Sequence, residues 1–109
     1  MSIKFVETKV FTRKLRKIWD GVDYAKFQLE LAADPTVGDV IPHSGGLRKI
    51  RRAAQGRGKR GGFRVIYFWA VSREVVVMLD VYAKNEKSGL STDELKRLAS
   101  AKRDILGEQ

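Results

Sequence analysis

The residues best suited to chemistry are nine lysines and arginines between Asp39 and Glu74, with no carboxylate among them. They are Arg48, Lys49, Arg51, Arg52, Arg57, Lys59, Arg60, Arg64 and Arg73. The thirteen basic residues elsewhere balance all thirteen acids, so the net charge of +9 lies in this one segment. Concentrated positive charge repels itself unless a polyanion binds to it. The segment therefore indicates an active surface that binds a polyanion such as nucleic acid.

Other kinds of catalytic site find little support in the residues. The chain has no cysteine, which excludes a thiolate nucleophile or metal ligand. His43 is the only histidine, and in a predicted loop it is more simply solvated than catalytic. The carboxylates are scattered and mostly fall at predicted helix starts, so neither a metal site nor a cofactor is expected. Residues 56–61 match G-x-G-x-x-G, but a predicted strand follows where a dinucleotide site needs a helix.

Hydrophobic spacing predicts a single α+β domain over residues 1–109. A short strand at 3–6 is followed by two helices, over 8–20 and 20–33. Longer strands are predicted at 47–53, 63–71 and 75–83, and a capping box at Ser91 and Glu94 begins a C-terminal helix. We expect an antiparallel sheet of about four strands with the two N-terminal helices on one face. The other face would then be free for basic side chains.

Strand alternation sorts the basic residues of the first long strand by face. Lys49 and Arg51 point one way, while Arg48, Ile50 and Arg52 point the other way. Residues 56–62 predict a glycine-rich basic hairpin loop, and Arg64 begins the next strand just beyond it. An ordinary solvated face is the alternative, but such a face normally mixes charges of both signs.

The positions of the aromatic residues and of one carboxylate in the later strands can also be predicted. Alternation puts Tyr67 and Trp69 opposite Phe68, so at least part of this set must be core. Tyr82, at a strand end, remains free in this interpretation to stack on an RNA base. Asp80 lies in an apolar strand, where we expect it to pair with an arginine.

The sequence also carries expectations about location. Residues 1–11 lack the apolar core of a signal peptide. The longest uncharged apolar run, 65–71, is far below the roughly 18 residues of a membrane span. The simplest expectation is a cytoplasmic protein without a membrane partner.

Several stretches together resemble the RelE/ParE superfamily of toxins from bacterial type II toxin-antitoxin systems, and most of all its HigB branch. They are residues 46–51, 58–67 and 82–86, supported by 5–7, by Asp34-Pro35 and by 38–41. The similarity runs through nearly the whole chain in the expected order. No single stretch is specific, but the combination is.

The resemblance implies an endoribonuclease that enters the ribosomal A site and cuts translated mRNA. In such toxins the reaction needs no metal, since the ribose 2′-hydroxyl attacks its own phosphate and leaves a cyclic phosphate and a 5′-hydroxyl end. The implied partners are the ribosome, mRNA and a HigA-like antitoxin with a helix-turn-helix domain. Operator DNA would be bound only through that antitoxin.

The resemblance also implies roles for individual residues. Lys49 and Arg51 match the two basic strand positions of RelE, and Arg64 matches the arginine that contacts the scissile phosphate. Arg51 and Arg64 would stabilise charge, while Lys49 or Lys84 would move protons. Binding of RNA or ribosome would involve seven further residues, namely Arg48, Arg52, Arg57, Lys59, Arg60, Tyr82 and Asn85.

The chain departs from the RelE pattern at two positions, and two other functions stay open. Asn85 stands where RelE has another catalytic arginine, and no tyrosine is found near Leu90, where RelE has one; Tyr82 is a possible substitute. One alternative is an inhibitor of DNA gyrase, as ParE toxins are. The other is a non-catalytic RNA-binding module whose affinity would fall steeply with salt.

Overall fold

The computed structural model describes residues 2–53 and 62–108 and places their elements around one sheet. The strands are β1 (Lys4–Glu7), β2 (Asp39–Val40), β3 (Arg48–Arg52), β4 (Phe63–Ala70) and β5 (Val75–Ala83). The helices are α1 (Lys9–Ile18), α2 (Gly21–Ala33) and α3 (Thr92–Leu106), and a short 3-10 turn at Val71–Arg73 joins β4 to β5.

The sheet has the order β1-β5-β4-β3-β2, with β5, β4, β3 and β2 antiparallel in succession. The predicted α+β class is confirmed, but the sheet has one strand more than expected and is mixed, because β1 runs parallel to β5. A parallel pair needs a long connection, and the chain from α1 to β4 lies between β1 and β5. The additional strand, β2, has two residues and is too short to show an alternating pattern.

Side-chain caps fix the start of each helix. Thr8 accepts a hydrogen bond from the Phe11 N–H at 3.1 Å, and Asp20 accepts one from the Asp23 N–H at 2.9 Å. Ser91 and Glu94 form the predicted capping box, each accepting from the backbone N–H of the other at 3.1 and 2.9 Å. Capping supplies partners for N–H groups that the first turn leaves unpaired. None of the helices within residues 2–53 and 62–108 combines the length and apolar character needed to cross a bilayer.

The first sheet face packs against α1 and α2. The helices contribute Phe11, Tyr24, Phe27 and Leu31, all buried, to this core. From the strands come Ile50, Phe63, Val65, Tyr67, Val76, Met78 and Val81. Both N-terminal helices therefore cover one face, as the sequence predicted.

The second sheet face is not free, which corrects the sequence-based expectation. A second core of Leu47, Ile66, Ala70, Val77, Leu79, Tyr82 and Leu106 lies there. The α3 side chains Leu95, Leu98, Ala101 and Ile105 pack against it. An apolar helix stripe has to be buried, and β4 and β5 present apolar side chains on this face as well. Only the part of the face nearer β3 and β2 is left for basic residues.

Two close approaches hold β3 and its neighbours in register. At Gly62, a Cβ atom would lie 2.1 Å from the Arg52 carbonyl oxygen, so only glycine fits where β3 ends beside β4. On the other side, the fully buried Tyr67 accepts a hydrogen bond from the Gly38 N–H at 2.9 Å and donates one to the Pro35 carbonyl at 2.8 Å. This hydroxyl ties the segment before β2 to the central strand.

Replacing Tyr67 with Phe is expected to lower the free energy of unfolding by about 1–3 kcal/mol, because the Gly38 N–H and the Pro35 carbonyl would lose their partner. Urea denaturation followed by circular dichroism measures the change. The matched control is Tyr82→Phe. The Tyr82 hydroxyl forms no hydrogen bond within the described residues, so this control should change stability by less than about 0.5 kcal/mol. Equal losses in the two variants would contradict a specific role for the Tyr67 hydroxyl.

Candidate nucleic-acid site

The centre of the site is a row of three residues across three strands. The Cα partner of Arg64 in β4 is Arg51 on the β3 side and Tyr82 on the β5 side. Directly opposed residues of antiparallel strands put their Cβ atoms about 4.5–5.5 Å apart on the same face. Lys49 is two residues from Arg51 along β3 and so shares this face. The register thus confirms that Lys49, Arg51 and Arg64 lie together.

The three cations differ in exposure, which gives them different physical roles. Arg64 is only 7% exposed, and its Nη1 lies 3.4 Å from the Phe63 carbonyl oxygen. Arg51 is exposed, and Lys49 is half-buried. Arginine keeps its charge in proteins, so Arg64 supplies a fixed positive charge beneath the surface. Arg51 and Lys49 are the members that an incoming anion can reach.

Tyr82 completes the row but is buried, which corrects the expectation of a free stacking surface. The residue is 1% exposed, and the Lys87 ammonium lies 4.8 Å from the ring centroid. Burial raises the pKa of the Tyr82 hydroxyl, while Lys87 and Arg64 act in the opposite direction. A base could therefore not stack on this ring in the conformation described. The hydroxyl remains protonated near neutral pH and can donate a hydrogen bond.

A chain of charged groups joins both sides of the protein beside Tyr82. Asp80 is 4% exposed, and its carboxylate accepts from the Lys14 ammonium at 2.8 Å and lies 3.9 Å from Lys87. Lys87 in turn donates to Glu94 at 2.5 Å. The structural pairing expected of Asp80 is present, but its partners are lysines of α1 and the β5–α3 loop rather than an arginine. The chain connects α1, β5 and the first turn of α3.

The other basic residues of β3 lie on the opposite face, where they stabilise the fold. Arg48 donates to the carbonyl oxygens of Thr36 and Gly38 at 3.1 and 2.7 Å. Arg52 pairs with Glu30, and its guanidinium lies 5.3 Å from the ring centroid of Phe27. The structure therefore does not bring Arg48 and Arg52, predicted to bind RNA or ribosome, to the face of Lys49 and Arg51.

The remaining predicted site residues fall near the loops. Lys84 and Asn85 are exposed in the turn after β5, and the Lys84 N–H donates to the Gly62 carbonyl at 3.1 Å, which holds this turn beside the start of β4. Arg57, Lys59 and Arg60 lie outside the described residues, as does nearly all of the predicted hairpin loop.

Sequence reasoning missed Asp39. The two-residue strand β2 sets Asp39 directly opposite Lys49, so a carboxylate adjoins the cations although none lies within their segment. The stretch around Asp39 contributed to the family resemblance, but its place in a strand was not predicted. His43 is exposed in the following turn with φ 59°, and within the described residues no three histidine or acidic side chains are grouped to hold a metal ion.

No protein-family model matches the chain, but solved structures do. A double mutant of the E. coli toxin RelE in the free state matches with a TM-score of 0.63 at 15% identity, over 94% of this chain and 98% of that chain. The intact E. coli RelBE toxin-antitoxin complex matches with a TM-score of 0.56 at 17% identity, over 73% of this chain and 94% of that chain. This chain therefore has a RelE-like fold, as the resemblance implied.

The Glu94 pair should make stability sensitive to acid. The hydrogen bond from Lys87, aided by the Ser91 backbone N–H, lowers the pKa of the Glu94 carboxyl from 4.5 to about 2. The carboxylate thus stabilises the fold at pH values above its unfolded pKa, and this contribution is lost as the pH falls from 4.5 towards 2. In urea denaturation at a series of pH values, we expect Glu94→Gln to lose less stability over this interval than the parent.

The matched control for this measurement is Glu86→Gln, which removes an exposed carboxylate from the β5–α3 loop without breaking an ion pair in the described residues. Its slope against pH should follow the parent. A parent slope equal to that of Glu94→Gln would show that the Lys87–Glu94 pair contributes nothing in this range.

Proposed function

We propose that this chain is the toxin of a type II toxin-antitoxin system, of the HigB branch, and that it acts as a ribosome-dependent mRNA endoribonuclease. The observation that carries the proposal is the row of Arg51, Arg64 and Tyr82, with Lys49 beside it, on one face of a RelE-like sheet. Fold alone does not fix function. A cluster of cations on adjacent strands is, however, what a phosphate that gains charge requires.

In the proposed reaction, a ribose 2′-hydroxyl attacks the neighbouring phosphorus. The O2′–P bond forms, the P–O5′ bond breaks, and the products are a cyclic phosphate and a 5′-hydroxyl end. One proton leaves the attacking hydroxyl and another reaches the O5′ oxygen. The phosphorane between these steps carries additional negative charge, so preorganised cations favour it over the substrate.

Within this scheme each residue has a role that follows from its exposure. Arg64 is buried and supplies a fixed positive potential, and Arg51 is exposed and contacts the phosphate directly. Lys49 and Lys84 are the groups proposed to transfer protons. Tyr82 is buried at the end of the row beside Arg64, so we assign it to positioning Arg64 and not to base stacking.

Dependence on the ribosome suits the limited set of groups at the site. The chain has a single histidine, His43, so no histidine pair can serve as general acid and base. Much of the rate enhancement would then come from orientation of the message, which a ribosome can provide. The proposed location is the cytoplasm, where translating ribosomes are found.

The proposed partners are a HigA-like antitoxin with a helix-turn-helix domain, the ribosome and mRNA. The similarity to the RelBE toxin-antitoxin complex supports an antitoxin of some kind. Operator DNA would be bound only through that antitoxin. The surface around Arg51 and Arg64 is positively charged and suits anionic ligands. An antitoxin that inhibits by covering it would therefore present carboxylates.

Cleavage is tested by mapping mRNA 5′ ends in a translating extract with the parent, Arg51→Ala and Arg64→Ala. We expect the parent to make ribosome-dependent cuts at A-site positions, and each variant to reduce them roughly 100-fold, the cost of removing one preorganised donor from a transition state. Arg51 is exposed, so its variant should fold normally even if loss of the buried Arg64 disturbs packing.

Arg103→Ala is the charge-matched control. Arg103 is exposed on α3, and its side chain forms no hydrogen bond or ion pair within the described residues. This control should cut like the parent. Message that stays intact while translation stops would contradict the nuclease and leave a protein that acts by binding. Equal losses in Arg51→Ala and Arg103→Ala would mean that only net charge matters.

A further inference from the structure

A cavity of about 410 Å³ lies along the outer edge of β2 and β3, next to the proposed cleavage row. Its lining includes the charged side chains Asp39, Lys49 and Arg51 and the apolar group Val37, Val40, Ile41 and Pro42. This volume is within the range of roughly 300–1,000 Å³ that small-molecule sites occupy. The cavity is thus large enough for one nucleotide.

Part of the apolar lining is exposed to solvent. Val37 and Val40 are 44% and 53% exposed, and neither belongs to either core. Together with Ile41 and Pro42 they give the cavity an apolar lining, and apolar side chains can contact the face of a base.

Asp39 is the group that could read such a base. The register sets it directly opposite Lys49, yet within the described residues Asp39 forms no ion pair and no side-chain hydrogen bond. Both carboxylate oxygens therefore remain available as acceptors. A carboxylate beside phosphate-binding cations would oppose an anion unless it received hydrogen bonds of its own.

We infer that this cavity is a guanine-binding subsite in which the Asp39 carboxylate accepts hydrogen bonds from guanine N1–H and the 2-amino group, while Lys49 and Arg51 hold the adjoining phosphate. Among the four RNA bases, guanine alone presents two neighbouring donors on its Watson–Crick edge, and a carboxylate accepts from both at once. Adenine and uracil offer no such pair, and cytosine offers only its amino group. If the chain cuts mRNA as proposed above, this subsite would select the base at one fixed position from the cut.

Because the inference deepens the proposed function, its first test measures binding and not cleavage. The amide resonances of ¹⁵N-labelled protein are followed during titration with the 5′-monophosphates of guanosine, inosine, adenosine and cytidine, and with ribose 5-phosphate. Inosine differs from guanosine only by the missing 2-amino group. We expect shifts at Val40 and Lys49, and binding of the guanosine compound roughly fivefold or more tighter than the others.

Two variants isolate the carboxylate. Asp39→Asn keeps the shape of the side chain and removes its charge, and we expect it to reduce the preference for guanosine over inosine to less than about twofold. Asp104→Asn makes the same change on the exposed end of α3 and should keep the full preference. Equal affinity of the parent for all five compounds would overturn the inference, and so would a preference that Asp39→Asn retains.

The second readout uses the mRNA 5′ ends of the extract experiment. The parent should show guanine enriched at one fixed position from its cuts, and the cuts that Asp39→Asn still makes should lack this enrichment. A uniform loss of all cuts in Asp39→Asn would instead make Asp39 part of the reaction itself and would overturn a role in selection. Guanosine-selective binding by a parent that cuts no mRNA would contradict the proposed nuclease activity and still support the guanine-binding subsite.

Discussion

Arg64 is a buried cation and the one charged residue of β4, and the position of the site depends on it. A strand register that slipped by one residue would turn Arg64 towards Phe11, Tyr24 and Phe27 of the N-terminal helices. A charge without partners among aromatic rings is strongly unfavourable. The arginine therefore helps to fix the register of β4, and the register fixes which residues of β3 and β5 lie beside it. The same side chain that would serve chemistry also specifies the sheet.

The open end of β5 is closed by side chains and not by another strand. β1 pairs with β5 only as far as Met78. Beyond it, Thr8 donates to the Leu79 carbonyl at 3.1 Å, and Asp80 accepts from the Val81 N–H at 2.9 Å. Exposed strand edges invite pairing with other chains unless they are blocked. The Asp80 carboxylate thus gives the Val81 N–H a partner and also binds Lys14 of α1. The same side chain therefore protects the strand edge and holds α1 against β5.

Much of the fold could be predicted from the sequence because strong local patterns encode it. The three helices, the long strands and the capping box at Ser91 follow from side-chain period and helix-start chemistry, and the shared face of Lys49 and Arg51 follows from strand alternation. The resemblance gave the overall arrangement that the RelE-like fold confirms.

The errors concern contacts between segments far apart in the chain. No local pattern reports that α3 covers Tyr82, that Asp80 meets lysines from two sides, or that Asp39 pairs with β3 through a two-residue strand. Arg48 and Arg52 were assigned to RNA from charge alone, although their own alternation already placed them with Ile50. Charge predicts what a residue could bind, but the partner on the same face decides whether it is free to do so.

The short length of β2 has a consequence for how the protein behaves in concentrated solution. Within the described residues, β2 pairs only with Arg48 and Lys49, so no strand covers the outer edge of Ile50–Arg52. Such an edge would ordinarily recruit a second chain into a continuous sheet. Here the cations that flank it would face identical cations on any approaching copy, and their repulsion weakens as salt increases. The charge pattern therefore opposes association of two copies through this edge, and the protection weakens as ionic strength rises.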